Sequence, residues 1–120
     1  MGLTHVTVRI RNLGSKNGAY EAKFLVDTGA TDSLVPTEEL KRIGVDPVGK
    51  QAYELANGKV EEYAFGLAEI AFMDEVTAGR VIFGPDGSEP ILGVTALESA
   101  GITIDPASRT LRKLPAIPLK

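Results

Sequence analysis

The chain has 120 residues, 43% hydrophobic and 24% charged, a balance that fits one compact domain over residues 1–120 and leaves no room for a two-lobed enzyme. Sixteen acidic against 13 basic side chains give a formal charge of −3, which offers no basic footprint for a nucleic-acid backbone or an anionic membrane. With no cysteine there is no disulfide, no thiol nucleophile and no Cys-based zinc site, and one histidine cannot build a histidine-rich metal cluster.

From the N-terminus, Met1 to Arg9 carries charge within its apolar stretch and has no leader-like apolar run, so a cytoplasmic location is expected. Val6, Val8 and Ile10 alternate with Thr7 and Arg9, the period of two that a half-buried strand requires. Ser15-Lys16-Asn17-Gly18 then carries the Asn-Gly pair that favours a tight hairpin, and Tyr20 to Val26 is the returning strand, with Ala22, Phe24 and Val26 on one face. Asp27-Thr28-Gly29 ends it. Ser33-Leu34-Val35 is a further short strand closed by Pro36, and Thr37 is the expected cap of a helix from Glu38 to Ile43 that stops at Gly44.

Four strands are expected next, at Gln51 to Leu55, Val60 to Phe65, Leu67 to Phe72 and Val76 to Phe83, with Ala56-Asn57-Gly58-Lys59 as the tip between the first two. After the apolar run Pro90-Ile91-Leu92-Gly93, Thr95 to Glu98 has the spacing of a capping box that opens a helix ended by Gly101. Ile102 to Ile104 and Thr110 to Leu114 flank the turn Asp105-Pro106-Ala107-Ser108 as a closing hairpin, and residues 115–120 form a proline-broken tail, extended or loose. The expected fold is mostly β: a small closed or folded-over barrel with two short helices.

Several chemistries find no support in the pattern. Gly-x-Ser-x-Gly, the phosphate-cradling Gly-x-x-x-x-Gly-Lys-Ser/Thr and Gly-x-Gly-x-x-Gly do not occur. Glu61-Glu62 and Asp74-Glu75 are adjacent residues on strands, which point to opposite faces and read as solvated surface rather than as a metal-ligand set. No metal or cofactor is expected. Asp27 differs because it stands at the end of a core strand, where Gly29 lets backbone N–H groups approach its carboxylate and Thr28 offers a compact hydroxyl. By itself that tripeptide is also an ordinary strand-end turn.

The longer segment Leu25-Val26-Asp27-Thr28-Gly29-Ala30-Thr31-Asp32-Ser33-Leu34-Val35-Pro36 resembles the catalytic segment of the retroviral-type aspartic proteases (retropepsins), and Ile91-Leu92-Gly93 before a helix resembles their second signature. The resemblance runs from about Thr4 to Ile104, and the chain looks most like the bacterial single-domain branch. It implies a retropepsin-type barrel and an endopeptidase in which two aspartates share a proton across a bound water. Only one Asp-Thr-Gly is present, so the resemblance implies a homodimer with an Asp27 from each subunit acting on a peptide or protein substrate. Thr28 and Gly29 would support the loop, with Thr28 bonding across the dimer. Ile91-Leu92-Gly93 would lie beneath the loop as core, and Ala56, Asn57 and Gly58 would form a flap over the substrate. Those tip residues also read as an ordinary exposed hairpin. Ala30 and Asp32 would face substrate, although Asp32 reads equally as a solvated loop acid.

Two positions depart from the retroviral pattern. Retroviral members carry an Asp and an Arg that pair near the dimer interface, where this chain has Thr31 and Val94. Both partners are replaced, so no charge is stranded, but the dimer contacts must be arranged differently. The extra C-terminal hairpin has no retroviral counterpart either. A non-catalytic dimeric module that holds a peptide or protein on the same fold is the alternative reading, and a scaffold domain is a third.

Overall fold

The computed structural model describes residues 4–14 and 18–120; Ser15 to Asn17, and with them most of the expected first turn, lie outside the described residues. Among the described residues, nine strands and two helices follow one another as β1 (His5–Asn12), β2 (Ala19–Asp27), β3 (Ser33–Pro36), α1 (Thr37–Arg42), β4 (Gly49–Glu54), β5 (Val60–Phe72), β6 (Glu75–Gly84), β7 (Ile91–Gly93), α2 (Val94–Ala100), β8 (Ile102–Asp105) and β9 (Thr110–Lys113). Seven of the strands form one mixed sheet in the order β1-β2-β7-β3-β6-β5-β4. A further antiparallel pairing of Arg9–Asn12 with Ala68–Ala71 joins β1 to β5 and closes six of them into a barrel, leaving β4 bonded to β5 alone. Mostly β, with two short helices and a closed small barrel, is therefore the architecture expected from the sequence.

The alternation of β1 and β2 does what its period requires. Val8, Ile10, Phe24 and Val26 point into the core and are almost wholly buried, while Thr7, Arg9, Glu21 and Lys23 face outward. The barrel core is completed by Val35, Ala68, Ile70, Phe72, Val81 and Leu92, with Leu40 of α1, Ile43 just after it, and Ala96 and Leu97 of α2 packed against it. Strand β7 is the keystone. It lies parallel to β2 (Val26 opposite Leu92, Asp27 opposite Gly93) and antiparallel to β3 (Leu34 opposite Ile91), so it holds the end of β2 against the start of β3.

Three expected boundaries shift, each for a local reason. The expected strands Val60 to Phe65 and Leu67 to Phe72 are one 13-residue strand, β5. Gly66 is not a break but a close approach: a Cβ there would stand 2.7 Å from Val45 Cγ1 and 2.8 Å from the Asp46 carbonyl oxygen. Thr37 does not cap α1 with its side chain. It lies inside the helix, its hydroxyl donating to the Gly84 carbonyl at 2.7 Å, and the Glu38 N–H is accepted instead by Asp86 Oδ1 at 3.1 Å. Nor does the expected capping box form at Thr95. The N-cap position is Gly93, two residues earlier, so helix α2 runs straight out of β7, and the N–H groups of Val94 and Thr95 donate to the carbonyls of Ala30 (2.8 Å) and Thr31 (3.1 Å). Donors that a helix start leaves unpaired are thus satisfied by the neighbouring loop. Gly101 ends α2 as expected, in the left-handed conformation at φ 70°.

The closing hairpin β8–β9 forms a separate two-stranded sheet that buries Ile102 and packs Ile104 and Leu111 against the core. Residues 115–120 carry no regular secondary structure, and Leu119 is 96% exposed. Among the described residues, no helix is long and apolar enough to cross a membrane.

Candidate active site

Asp27 is the last residue of β2, delivered to the barrel surface by a strand whose preceding residues are fixed in the core. Its Oδ1 accepts the Gly29 N–H at 2.9 Å, and its carbonyl accepts the Ala30 N–H at 3.1 Å, so the turn is closed by both side chain and backbone. A carboxylate held by a backbone N–H two residues on has little freedom to rotate.

The next residues are held from below. Ser33 is buried, and its hydroxyl oxygen accepts the Gly93 N–H at 3.0 Å. Gly93 itself lies so close to the loop that a Cβ would fall 2.6–2.7 Å from the backbone of Thr31 and Asp32. Together with the Val94 and Thr95 bonds to Ala30 and Thr31, this staples the loop 27–32 to the junction of β7 and α2. At the Thr31 and Val94 positions, backbone contacts of this loop and helix are present where a retroviral chain would carry an ion pair. Leu92 and Gly93 lie beneath the loop as expected, but Ile91 does not behave as core alone. It is half-buried and, with Leu34, forms part of an open floor.

Above that floor lies a cleft of about 890 Å³. Asp27, Gly29, Ala30 and Asp32 line one side, and β4 with Leu55 and Ala56 lines the other. The sequence therefore anticipated residues from two separate segments that the fold brings to one cavity. Thr28, expected as loop support and a dimer contact rather than in the cleft, is exposed and outside the lining, and the expected flap residues Asn57 and Gly58 also lie outside it. Asn57 Oδ1 accepts the Lys59 N–H at 2.9 Å, and the Gly58 N–H donates to the Leu55 carbonyl at 2.9 Å, bonds that shape the tip itself.

Other residues of the cleft were not singled out from sequence. The Tyr53 hydroxyl donates to Asp32 Oδ2 at 2.6 Å, and burial together with this bond pushes the hydroxyl up to about 12. Arg80 Nη1 donates to Gln51 Oε1 at 3.2 Å, while its guanidinium lies 4.0 Å over the Phe65 ring. Gln51, Tyr53 and Leu55 are spaced by two, but Ala52 and Glu54 line the cleft as well, so strand parity alone does not select them. Arg80 carried no signal either, because it alternates normally within β6 and its position depends on pairing with Leu67 of β5. Among the described residues, no group of three or more His, Asp or Glu side chains is arranged to hold a metal ion.

The arrangement puts a carboxylate in the wall of a cleft, beside the apolar Leu34 and Ile91 and facing residues of the β4–β5 hairpin. The comparisons with known proteins agree with that geometry. Among solved structures, the chain is similar to the solution structure of the Simian Foamy Virus (mac) protease, with a TM-score of 0.54 and 16% identity over 78% of this chain and 91% of that one. That likeness is one of fold, a retropepsin-like barrel. No curated protein matches. Residues 13–99 match the family described as "gag-polyprotein putative aspartyl protease", a span that takes in β2, the Asp27 loop, the β4–β5 hairpin, β7 and nearly all of α2. With the loop, the hairpin and the β7–α2 junction all falling inside one family match, the chain belongs to the gag-polyprotein aspartyl protease family, whose fold is that of aspartic proteases.

Proposed function

We propose that the chain is an aspartic endopeptidase, a single domain over residues 1–120 that works in the cytoplasm as a homodimer, with Asp27 of each subunit supplying one carboxylate of the catalytic pair. The observation that carries this reading is the placement of Asp27: a carboxylate fixed by the Gly29 N–H, in a loop stapled to β7 and α2, in the wall of a cleft about 890 Å³ in volume. One carboxylate cannot be base and acid in the same step. Two held about 3 Å apart cannot both ionise, so the pair keeps one proton between them. The ionised member removes a proton from a bound water, whose oxygen attacks the scissile carbonyl carbon. The protonated member donates to the carbonyl oxygen. Collapse of the tetrahedral species breaks the C–N bond: the carboxyl that took the proton from water gives it to the departing nitrogen, the other carboxylate takes one back from a gem-diol hydroxyl, and the pair again holds one proton.

Support for the dimer comes from the single Asp-Thr-Gly in the chain and from the exposure of Thr28 and Gly29 on the side of the loop away from the core. Support for a peptide substrate comes from β4, which pairs with β5 on one edge only and can offer main-chain groups to an extended chain while alternate side chains enter the cleft. Ala30, Asp32 and Ala56 would contact that chain, with Asn57 and Gly58 at the tip above it.

The test is cleavage of a peptide library from acidic to neutral pH by wild type and Asp27→Asn, with the solution mass measured in parallel. The expected result is a bell-shaped rate profile that the variant loses, from a protein of twice the chain mass. Unchanged cleavage in Asp27→Asn would overturn the assignment. Binding of peptides without cleavage at every pH would instead select the non-catalytic binding module, and a strict monomer would leave Asp27 without its partner.

A further inference from the structure

Strand β4 is, among the described residues, the outermost strand of the sheet and is paired with β5 alone. Among the described residues, two side-chain hydrogen bonds connect it to anything beyond β5: Tyr53 to Asp32, and Arg80 to Gln51. They differ in kind. Arg80 is exposed, and its bond to a neutral amide is 3.2 Å long. Tyr53 and Asp32 are both half-buried, the bond is 2.6 Å long, and its acceptor is a carboxylate. Hydrogen bonds to an ionised acceptor are the short and strong ones. Asp32 also lies five residues after Asp27, in the loop whose backbone is stapled to β7 and α2. The Tyr53 hydroxyl therefore bridges a strand with one sheet neighbour to a loop stapled to β7 and α2.

We propose that Tyr53 is a positioning residue, a latch whose hydroxyl, donated to Asp32, holds the β4–β5 hairpin at a fixed height over the cleft. Tyr53 acts through Asp32 and the backbone rather than on a reacting group. Its ring stays in place without the hydroxyl, packed at a tilted 6.3 Å from Tyr63. Tyr63 supplies the internal contrast, because its hydroxyl donates to Glu61 in the same strand and bridges nothing. With the latch engaged, Asp32 Oδ2 is occupied, so a basic substrate side chain must compete with a phenol for it.

The test is hydrogen exchange of the free protein, read on peptides spanning residues 49–60. Tyr53→Phe is expected to speed exchange there by about tenfold, the loss of one charge-assisted hydrogen bond. Residues of β1 and β2 should keep their protection. Asp32→Asn, which retains an acceptor but not its charge, should fall between wild type and Tyr53→Phe, and Tyr63→Phe should leave this segment unchanged. Unaltered exchange in Tyr53→Phe overturns the latch. So does a rise of equal size in Tyr63→Phe, or one spread over β1 and β2. A kinetic readout rests on the protease reading given above: Tyr53→Phe should raise KM several-fold with kcat within about twofold, the pattern of lost uniform binding. If wild type cleaves nothing, the protease reading fails while the exchange result still decides the latch.

Discussion

Replacing Gly93 by alanine is the sharpest perturbation of the site scaffold that leaves every functional side chain in place. A Cβ at Gly93 would stand 2.6 Å from the Asp32 carbonyl carbon and 2.7 Å from the carbonyl oxygens of both Asp32 and Thr31, against an ordinary contact of 3.4 Å or more. Each obstacle is backbone, so no rotamer change relieves it, and the loop must retreat by about 0.7–0.8 Å, the shortfall of those distances from 3.4 Å. That retreat stretches three bonds: Gly93 N–H to Ser33 Oγ, Val94 N–H to the Ala30 carbonyl and Thr95 N–H to the Thr31 carbonyl. Overpacking of this kind costs about 1–3 kcal/mol, and each hydrogen bond lost adds about 1 kcal/mol. The expected destabilisation is about 3 kcal/mol, a large share of the roughly 5–15 kcal/mol that holds a domain folded. For a domain of this length it corresponds to a drop in Tm of about 10 °C. Urea and thermal unfolding followed by circular dichroism measure both. Gly79→Ala is the reference, because a Cβ there meets nothing within 4 Å, and it should change stability by no more than about 0.5 kcal/mol. Equal stability of the two variants would refute the argument that the loop rests directly on β7.

Four further outcomes are expected. Asp27→Asn should abolish peptide cleavage with unfolding midpoints close to wild type, measured by rate assay and urea titration together. Phe24→Ala, which empties a fully buried position of β2, should cost about 3–5 kcal/mol in the same titration. Asp86→Ala removes the acceptor of the Glu38 N–H at the start of α1 and should cost about 1 kcal/mol. The Tyr53 hydroxyl, raised from 10.0 to about 12, gives an alkaline signature. Below pH 10 the hydroxyl is protonated in folded and unfolded chains alike, and the contribution of its contact is fully present. Between about 10 and 12 the unfolded chain ionises first, so stability falls as pH rises. Tyr53→Phe should flatten that limb of the stability profile and delete the last of the tyrosinate transitions seen by absorbance.

Much of the barrel was legible because strand burial is a local, periodic property. Val6 to Ile10 and Tyr20 to Val26 each announce their inner face without knowledge of their partner, and the structure buries that face. Gly101 as a helix stop was readable for the same reason, since its left-handed backbone is decided within one turn. What escaped depends on distant neighbours. Gly66 reads as punctuation until Val45 and Asp46 are seen against it, and Thr95 reads as a cap until the carbonyls of Ala30 and Thr31 arrive to take the helix donors. Asp27, Ala30 and Asp32 line the cleft from one contiguous segment, and Ala56, which the resemblance put on a flap, joins them from the hairpin. Tyr53 and Arg80 enter the cleft only through the pairing of β4, β5 and β6, a register that no single stretch of sequence contains.

Strand β5 serves two structures at once. Its residues 68–71 are gripped between β1 and β6 within the barrel, while residues 60–64 carry β4 out over the cleft. The hairpin is thus the free end of a continuous beam clamped at its other end, with Gly66, wedged against Val45 and the Asp46 carbonyl, near the edge of the clamp. A beam of this kind has no loose hinge at its root: lifting the tip strains the wall. Ala68 and Ile70 are buried in that wall and do not line the cleft, so substitutions that change their volume are expected to alter access to it without touching a residue that lines it.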